Sequence, residues 1–215
     1  MGNRLWTTTG DIFKFGLGKV LLFMLTASLP LMTGCAAVDQ NVNFLYQPTA
    51  FGKGGAGDIY LSQNIQPASG RPSVQWVIGE TRNSADENSG NIVTDRAPVD
   101  IVMDAFTQEL KAAGYNVIAV DALPAGVAKG IRLESVSIKM EEVDRVYKVD
   151  ANCSVKVSIE PWRNGSATKK LSYESSYTDS TFLDRDMILL KALQTALQEL
   201  MARAVREAVV MIEQQ

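Results

Sequence analysis

The chain has 215 residues, 21 basic against 24 acidic side chains, two cysteines and no histidine. A chain without histidine has no Ser-His-Asp or Cys-His nucleophile and no His-ligated zinc, and two cysteines do not make a four-cysteine metal site or iron–sulfur cluster. A formal net charge of −3 argues against a nucleic-acid partner, while 46% hydrophobic residues suffice for one globular core.

The N-terminal residues carry Arg4, Lys14 and Lys19 against one acid, Asp11. Val20 to Met32 then runs without a charge. That run is shorter than the ~20 residues a spanning helix needs, and Pro30 disturbs it near its end. A basic region followed by a short apolar core is the layout of a secretory signal peptide. Leu31-Met32-Thr33-Gly34-Cys35 resembles the lipobox of bacterial lipoproteins. The alternative is an ordinary signal peptide with a coincidental cysteine. The resemblance implies cleavage after the small residue Gly34, with lipid on Cys35. Ala36-Ala37 lacks the Asp that retains such proteins in the inner membrane, which implies the outer membrane, with the domain in the periplasm of a Gram-negative bacterium. Acylation of Cys35 leaves Cys153 as the one free thiol, so no intramolecular disulfide is expected. The predicted organisation is a signal peptide over 1–34, a lipidated flexible tether over 35–56 and one domain over 57–215.

The tether is rich in Asn, Gln and Gly, with Phe44, Leu45, Tyr46 and Phe51 available to dock on the domain or on lipid. Gly52-Lys53 lacks the earlier Gly, the hydroxyl residue and the helix of a phosphate-binding loop, so it reads as a turn. Strands are predicted over 57–65, through Ile59 and Leu61, and over 74–78, through Trp76 and Ile78. Pro67, Gly70 and Pro72 separate them. Residues 80–96 read as a long exposed loop with a short strand at Ile92-Val93. A helix follows, capped by Thr94 or Asp95, with Pro98 in its first turn and Gly114 at its end. Val99, Val102, Met103, Phe106, Leu110 and Ala113 form its buried face.

A strand over 115–120 is next. Ile131 and Leu133 share one parity and Val136, Ile138 and Met140 the other, which predicts a bulge between them. Glu141, Glu142, Asp144 and Arg145 read as a charged turn. Tyr147 to Ile159 alternates apolar and polar residues, the mark of a sheet with one buried face, and places Cys153 inside as an inert thiol. Asn164-Gly165 predicts a hairpin returning through Leu171, Tyr173 and Tyr177. A helix of about 45 Å is predicted from Asp184 to Glu213. Its broad apolar stripe suits packing on a sheet better than a coiled-coil seam. The order β-β-α-β-β-β-β-α gives an α+β fold: a two-layer sandwich, mostly antiparallel, with about five to six strands and two helices on one face.

The mature chain resembles the YajG-like lipoproteins and, more loosely, the auxiliary lipoproteins of ABC-type exporters and the TolB N-terminal fold. The features, in order, are the lipobox cysteine, a strand leading to Glu80-Thr81-Arg82, a helix ending in Leu110-Lys111-Ala112-Ala113-Gly114-Tyr115, a long hairpin and a C-terminal helix. The resemblance covers about residues 57–212. The chain departs from that pattern in having Glu80 where relatives often have Asp, and in a larger 83–93 loop. The family has no established catalytic residues. The resemblance implies an outer-membrane lipoprotein serving an envelope protein partner, with Glu80 and Arg82 as candidate contacts.

Two other functions compete. A lipid or small-molecule carrier would hold its ligand between the helix stripe and the aromatic residues Trp76, Tyr147, Tyr173 and Tyr177, which core packing also explains. A glycosidase would need two carboxylates about 5–9.5 Å apart, such as Glu141-Glu142 or Asp184/Asp186, which solvation and helix capping already explain. The expectation is therefore no enzyme, no metal and no cofactor, with the membrane engaged through Cys35. The pattern leaves the oligomeric state open.

Overall fold

The structure is a computed structural model that describes residues 38–49, 55–64, 75–183 and 185–214. The described residues form nine strands: β1 (Gln40–Asn41), β2 (Asp58–Gln63), β3 (Trp76–Arg82), β4 (Asn88–Thr94), β5 (Asn116–Val120), β6 (Lys129–Asp144), β7 (Val149–Arg163), β8 (Ser166–Ala167) and β9 (Leu171–Thr181). Two helices join them, α1 (Pro98–Ala112) between β4 and β5, and α2 (Arg185–Glu213) after β9. The class is α+β, with strands dominating.

β6 is the spine. One edge pairs antiparallel with β7 along its whole length, from Lys129↔Arg163 to Asp144↔Val149, and β7 carries β9 on its far side. The other edge is divided. β2 pairs parallel with Gly130–Leu133 and carries β5, while β3 pairs parallel with Met140–Val143 and carries β4 and then β1. The sheet therefore forks: its longest pairings, β6–β7 and β7–β9, are antiparallel, as expected, while parallel pairings hold β2 and β3 to β6. The element order is β-β-β-β-α-β-β-β-β-β-α, which replaces the shorter predicted order. The predicted bulge is present between Leu133 and Ser135. It switches the inward parity of β6 from Ile131 and Leu133 to Ile138 and Met140, all buried.

Both helices cover the same face and touch each other. α2 lies over β7 and β9 and buries Leu189, Leu193, Leu197, Leu200 and Met201 against Val149, Val155, Val157 and Ile159. Its stripe packs on the sheet, as its width predicted. α1 begins with Pro98 but is capped by Ala97, without a side-chain hydrogen bond. Thr94 Oγ1 instead accepts the Arg96 N–H at 3.3 Å. The helix ends in a Schellman turn: Tyr115 N donates to Leu110 O at 3.1 Å and Gly114 N to Lys111 O at 3.0 Å, with Gly114 at φ +106°.

Three stretches differ from the sequence reading. The long loop is a hairpin: β3 extends to Arg82, Asn83 Oδ1 accepts the amides of Ala85 and Glu87, and β4 starts at Asn88. Its polar residues belong to a solvated strand pair. The charged turn is strand, because Glu141 faces out onto Arg82 while Glu142 faces in and accepts from Gln40 Nε2 at 2.9 Å. The turn falls one step later, where Arg145 N donates to Lys148 O, and it places Tyr147 in solvent instead of on the sheet. Residues 38–49, expected in the tether, run along the domain. β1 joins β4, and Val42, Phe44 and Tyr46 are buried at alternate positions. That period-two signal was hidden in an Asn/Gln-rich background.

Candidate functional site

Gly34, Cys35 and Ala36, expected at the lipid anchor, lie outside the described residues, as does Asp184. Glu80 and Arg82 are described, and the structure brings them together on the sheet face opposite the helices. Being two apart on β3, they share that face. Arg82 Nε and Nη2 donate to Glu80 Oε1 at 2.9 and 2.5 Å. Arg82 also reaches Glu141 Oε1 on β6 at 3.2 Å and Asp86 Oδ1 in the hairpin turn at 3.4 Å. The parallel register sets the β6 contact by pairing Glu80 with Glu141 and Arg82 with Val143.

The network continues on both sides. Asn88 Nδ2 donates to Glu80 Oε2 at 3.2 Å, Asn152 Nδ2 to Glu141 Oε2 at 3.2 Å, and Thr178 Oγ1 to Asn152 Oδ1 at 2.8 Å. It forms a polar ribbon across β4, β3, β6, β7 and β9. The Arg82 guanidinium, helped by Asn88, holds the Glu80 carboxyl below the usual carboxylate range. The Glu80 carboxylate in turn raises the Arg82 guanidinium. One cation among three carboxylates leaves the patch with an acidic excess, in partly exposed side chains. Such a patch can receive a cationic partner surface.

The other candidate chemistry is dispersed. Glu141 and Glu142 point to opposite faces, so they do not flank a common bond. Cys153 is buried, and burial pushes its thiol up to about 12, away from the nucleophilic range. Among the described residues no group of three or more Cys, Asp or Glu side chains could hold a metal ion, and no helix is long and apolar enough to cross a membrane.

The apolar stripe of α2 and the facing side chains of the sheet belong to one buried cluster. A cavity of about 320 Å³ lies beside the two helices, lined by Gly55, Glu109, Tyr115, Met201, Val205 and Arg206 among others. Glu109 on α1 is 3% exposed. Its Oε1 accepts the Tyr46 hydroxyl at 2.6 Å, the Thr49 amide at 2.8 Å and the Thr49 hydroxyl at 3.1 Å. Burial, then the neighbouring Glu109, pushes the Tyr46 hydroxyl well above its ordinary value. These bonds fasten residues 46–49 to α1.

Sequence reasoning did not find Glu109 or Glu141 as partners of Tyr46 and Arg82. A carboxylate four residues past Ala105 on an apolar helix face was the available signal for Glu109. For Glu141 there was none, since the contact depends on a parallel pairing between distant strands.

No protein-family model matches the chain, and no curated protein matches it by sequence. Solved structures do. The chain is similar to a protein from Xanthomonas campestris at 7% identity and a TM-score of 0.47, covering 80% of this chain and 95% of that one. It is similar to a minor lipoprotein from Acinetobacter baumannii at 10% identity and a TM-score of 0.37, covering 72% and 90%. It is also similar to the rare lipoprotein B of Shewanella oneidensis at 12% identity and a TM-score of 0.32, covering 62% and 92%.

Proposed function

We propose that the chain is a lipid-anchored bacterial lipoprotein of the outer membrane, of YajG-like type. Its periplasmic domain docks, without catalysis, onto envelope machinery for transport or cell-wall assembly. The observation that carries this reading is Leu31-Met32-Thr33-Gly34-Cys35, placed where a short apolar run ends and just before a folded domain begins. A short link between anchor and domain holds the protein close to the membrane. The docking face is the uncovered side of the sheet around Glu80, Arg82 and Glu141, and its acidic excess suits a basic surface on the partner. The dispersed carboxylates, the buried thiol and the lack of histidine support a binding role rather than a reaction.

Labelling cells with radioactive palmitate tests the anchor. The native chain takes up label and fractionates with membranes, and Cys35→Ser does neither. A Cys35→Ser chain that stays membrane-bound overturns the reading. Crosslinking in intact cells from a photoreactive residue at Asn88 tests the docking face. An envelope protein captured there, and lost with Glu141→Lys, supports it; capture of none overturns it.

A further inference from the structure

One end of the sheet is finished by apolar side chains in solvent. Val146 and Tyr147 in the β6–β7 turn are 75% and 83% exposed, Phe182 and Leu183 after β9 are 71% and 89% exposed, and Met187 in the first turn of α2 is 60% exposed. The two segments belong together. Val149 pairs with Thr181, and Arg185 Nη1 reaches Asp144 Oδ2 at 3.1 Å. The opposite end is closed by polar contacts. There Tyr115 and Lys129 both donate to Glu213, at 2.7 and 2.5 Å, and Arg163 donates to the Gln214 carbonyl. Single exposed apolar residues are ordinary, but several gathered at one end mark an interaction surface.

The chain enters the domain at that same end. β1 runs parallel to β4, with Gln40 beside Ile92. Going back from Gln40, the Val38 carbonyl lies so close to Gly90 that a Cβ there would stand 2.4 Å from it. Gly90 pairs with Thr81, and Thr81 with Glu142, two residues before β6 ends at Asp144. The entry strand therefore points toward the β6–β7 turn, away from Lys129. Val38 is itself 71% exposed. Two residues separate it from Cys35, three steps of the chain and a reach of about 10–11 Å at full extension.

On the reading that Cys35 carries lipid, we propose that this end of the domain contacts the membrane that holds the anchor. Val146, Tyr147, Phe182, Leu183 and Met187 insert into the interfacial layer, and the partner of this surface is the lipid itself. An aromatic ring with a polar tip is suited to that layer. The cations at this end are already paired, Lys148 and Arg145 with Asp150 at 2.7 and 3.7 Å and Arg185 with Asp144. The contact therefore rests on apolar burial rather than on attraction to anionic head groups, and zwitterionic lipid suffices. The domain then stands with its tip on the membrane, and its Glu80–Arg82 face is turned sideways toward protein partners.

The test uses the full chain, lipidated in cells and reconstituted into phosphatidylcholine vesicles with and without brominated phosphatidylcholine, whose bromine quenches nearby tryptophan. Single tryptophans replace Tyr147 or Phe182 at the tip, or the exposed Ala125 ahead of β6 at the far end, and the native chain gives the background. The Tyr147→Trp and Phe182→Trp signals are expected to fall about two-fold or more in brominated vesicles, equally at low and high salt, with Ala125→Trp unchanged. Weak and equal quenching at all three positions, in protein that carries palmitate, overturns the proposal and leaves the anchor reading standing. A chain without palmitate overturns both. Tip tryptophans covered by a crosslinked envelope protein or a second copy of the chain, and not quenched by lipid, also overturn it.

Discussion

The two faces of the β6–β7–β9 ribbon come from the same strands but do different work. On the inner face Val149, Ala151, Cys153, Val155, Val157 and Ile159 are buried under α2. On the outer face the alternate residues meet one another. Lys156 pairs with Glu174 at 2.9 Å, Arg132 with Glu160 at 2.6 Å, and the hydroxyls of Ser158 and Ser172 lie 2.9 Å apart. Each buried aliphatic side chain contributes about 1.5–3 kcal/mol. An exposed ion pair contributes about 0–1 kcal/mol. The inner face therefore holds the fold, and the outer face can change its chemistry at little cost. That freedom suits a docking surface.

Substitutions graded from one face to the other test this division. Leu197 has no exposed surface, and Leu197→Ala should lower unfolding free energy by about 3 kcal/mol, read from the urea midpoint. A loss below about 1 kcal/mol would mean that α2 is not the lid of the core. Gly79 comes next, since a Cβ there would stand 2.0 Å from the Met140 carbonyl oxygen. Gly79→Ala should cost about 2 kcal/mol or more and loosen β3 from β6, seen as faster amide exchange through β3 and β4. Cys153→Ser puts a hydroxyl into the apolar layer and should cost about 1–2 kcal/mol. In the native chain the Cys153 thiol should react with a disulfide reagent at pH 8 only as fast as the protein opens.

The smallest effects belong to the outer face. Glu141→Lys should leave the urea midpoint close to that of the native chain while removing the crosslink to a basic partner. A larger loss would make the ribbon structural rather than a docking patch. The far end supplies a pH signature. Lys129, then Tyr115, holds the Glu213 carboxyl below its ordinary value of 4.5. A depressed carboxyl stabilises the fold above that value, and the contribution is lost as pH falls through the lowered pKa. Urea midpoints should therefore drop as pH falls below 4.5, and Glu213→Gln should flatten the drop.

Much of the fold was legible because periodicity reports burial. The alternation of Val149 to Ile159, the parity switch that required a bulge after Leu133, the stripe of α2 and the Gly114 terminator each follow from local rules. The mixed sheet was not legible, because a strand pattern names the buried face but not the direction of the neighbour. β2 and β3 both pair parallel to β6, through connections that no local signal specifies. Charge misled at Glu141 and Glu142. Consecutive strand residues face opposite ways, and each found a partner on its own side. At the candidate site Glu80 and Arg82 were visible, but Glu141, Asn152 and Thr178 were not.

By itself the sequence determined most of the element types and the inward faces of the long strand and the two helices. A glycine terminator or a two-residue alternation is written in neighbouring residues, and its physics is local. Tertiary structure decided what distant segments do to one another. It split one edge of β6 between two strands, closed a ribbon of charge around Arg82, and laid residues 38–49 along the domain. It also set the entry of the chain and the exposed apolar tip at the same end of the sheet. These features depend on strand direction and register, which are settled only when separate parts of the chain compete for the same edge.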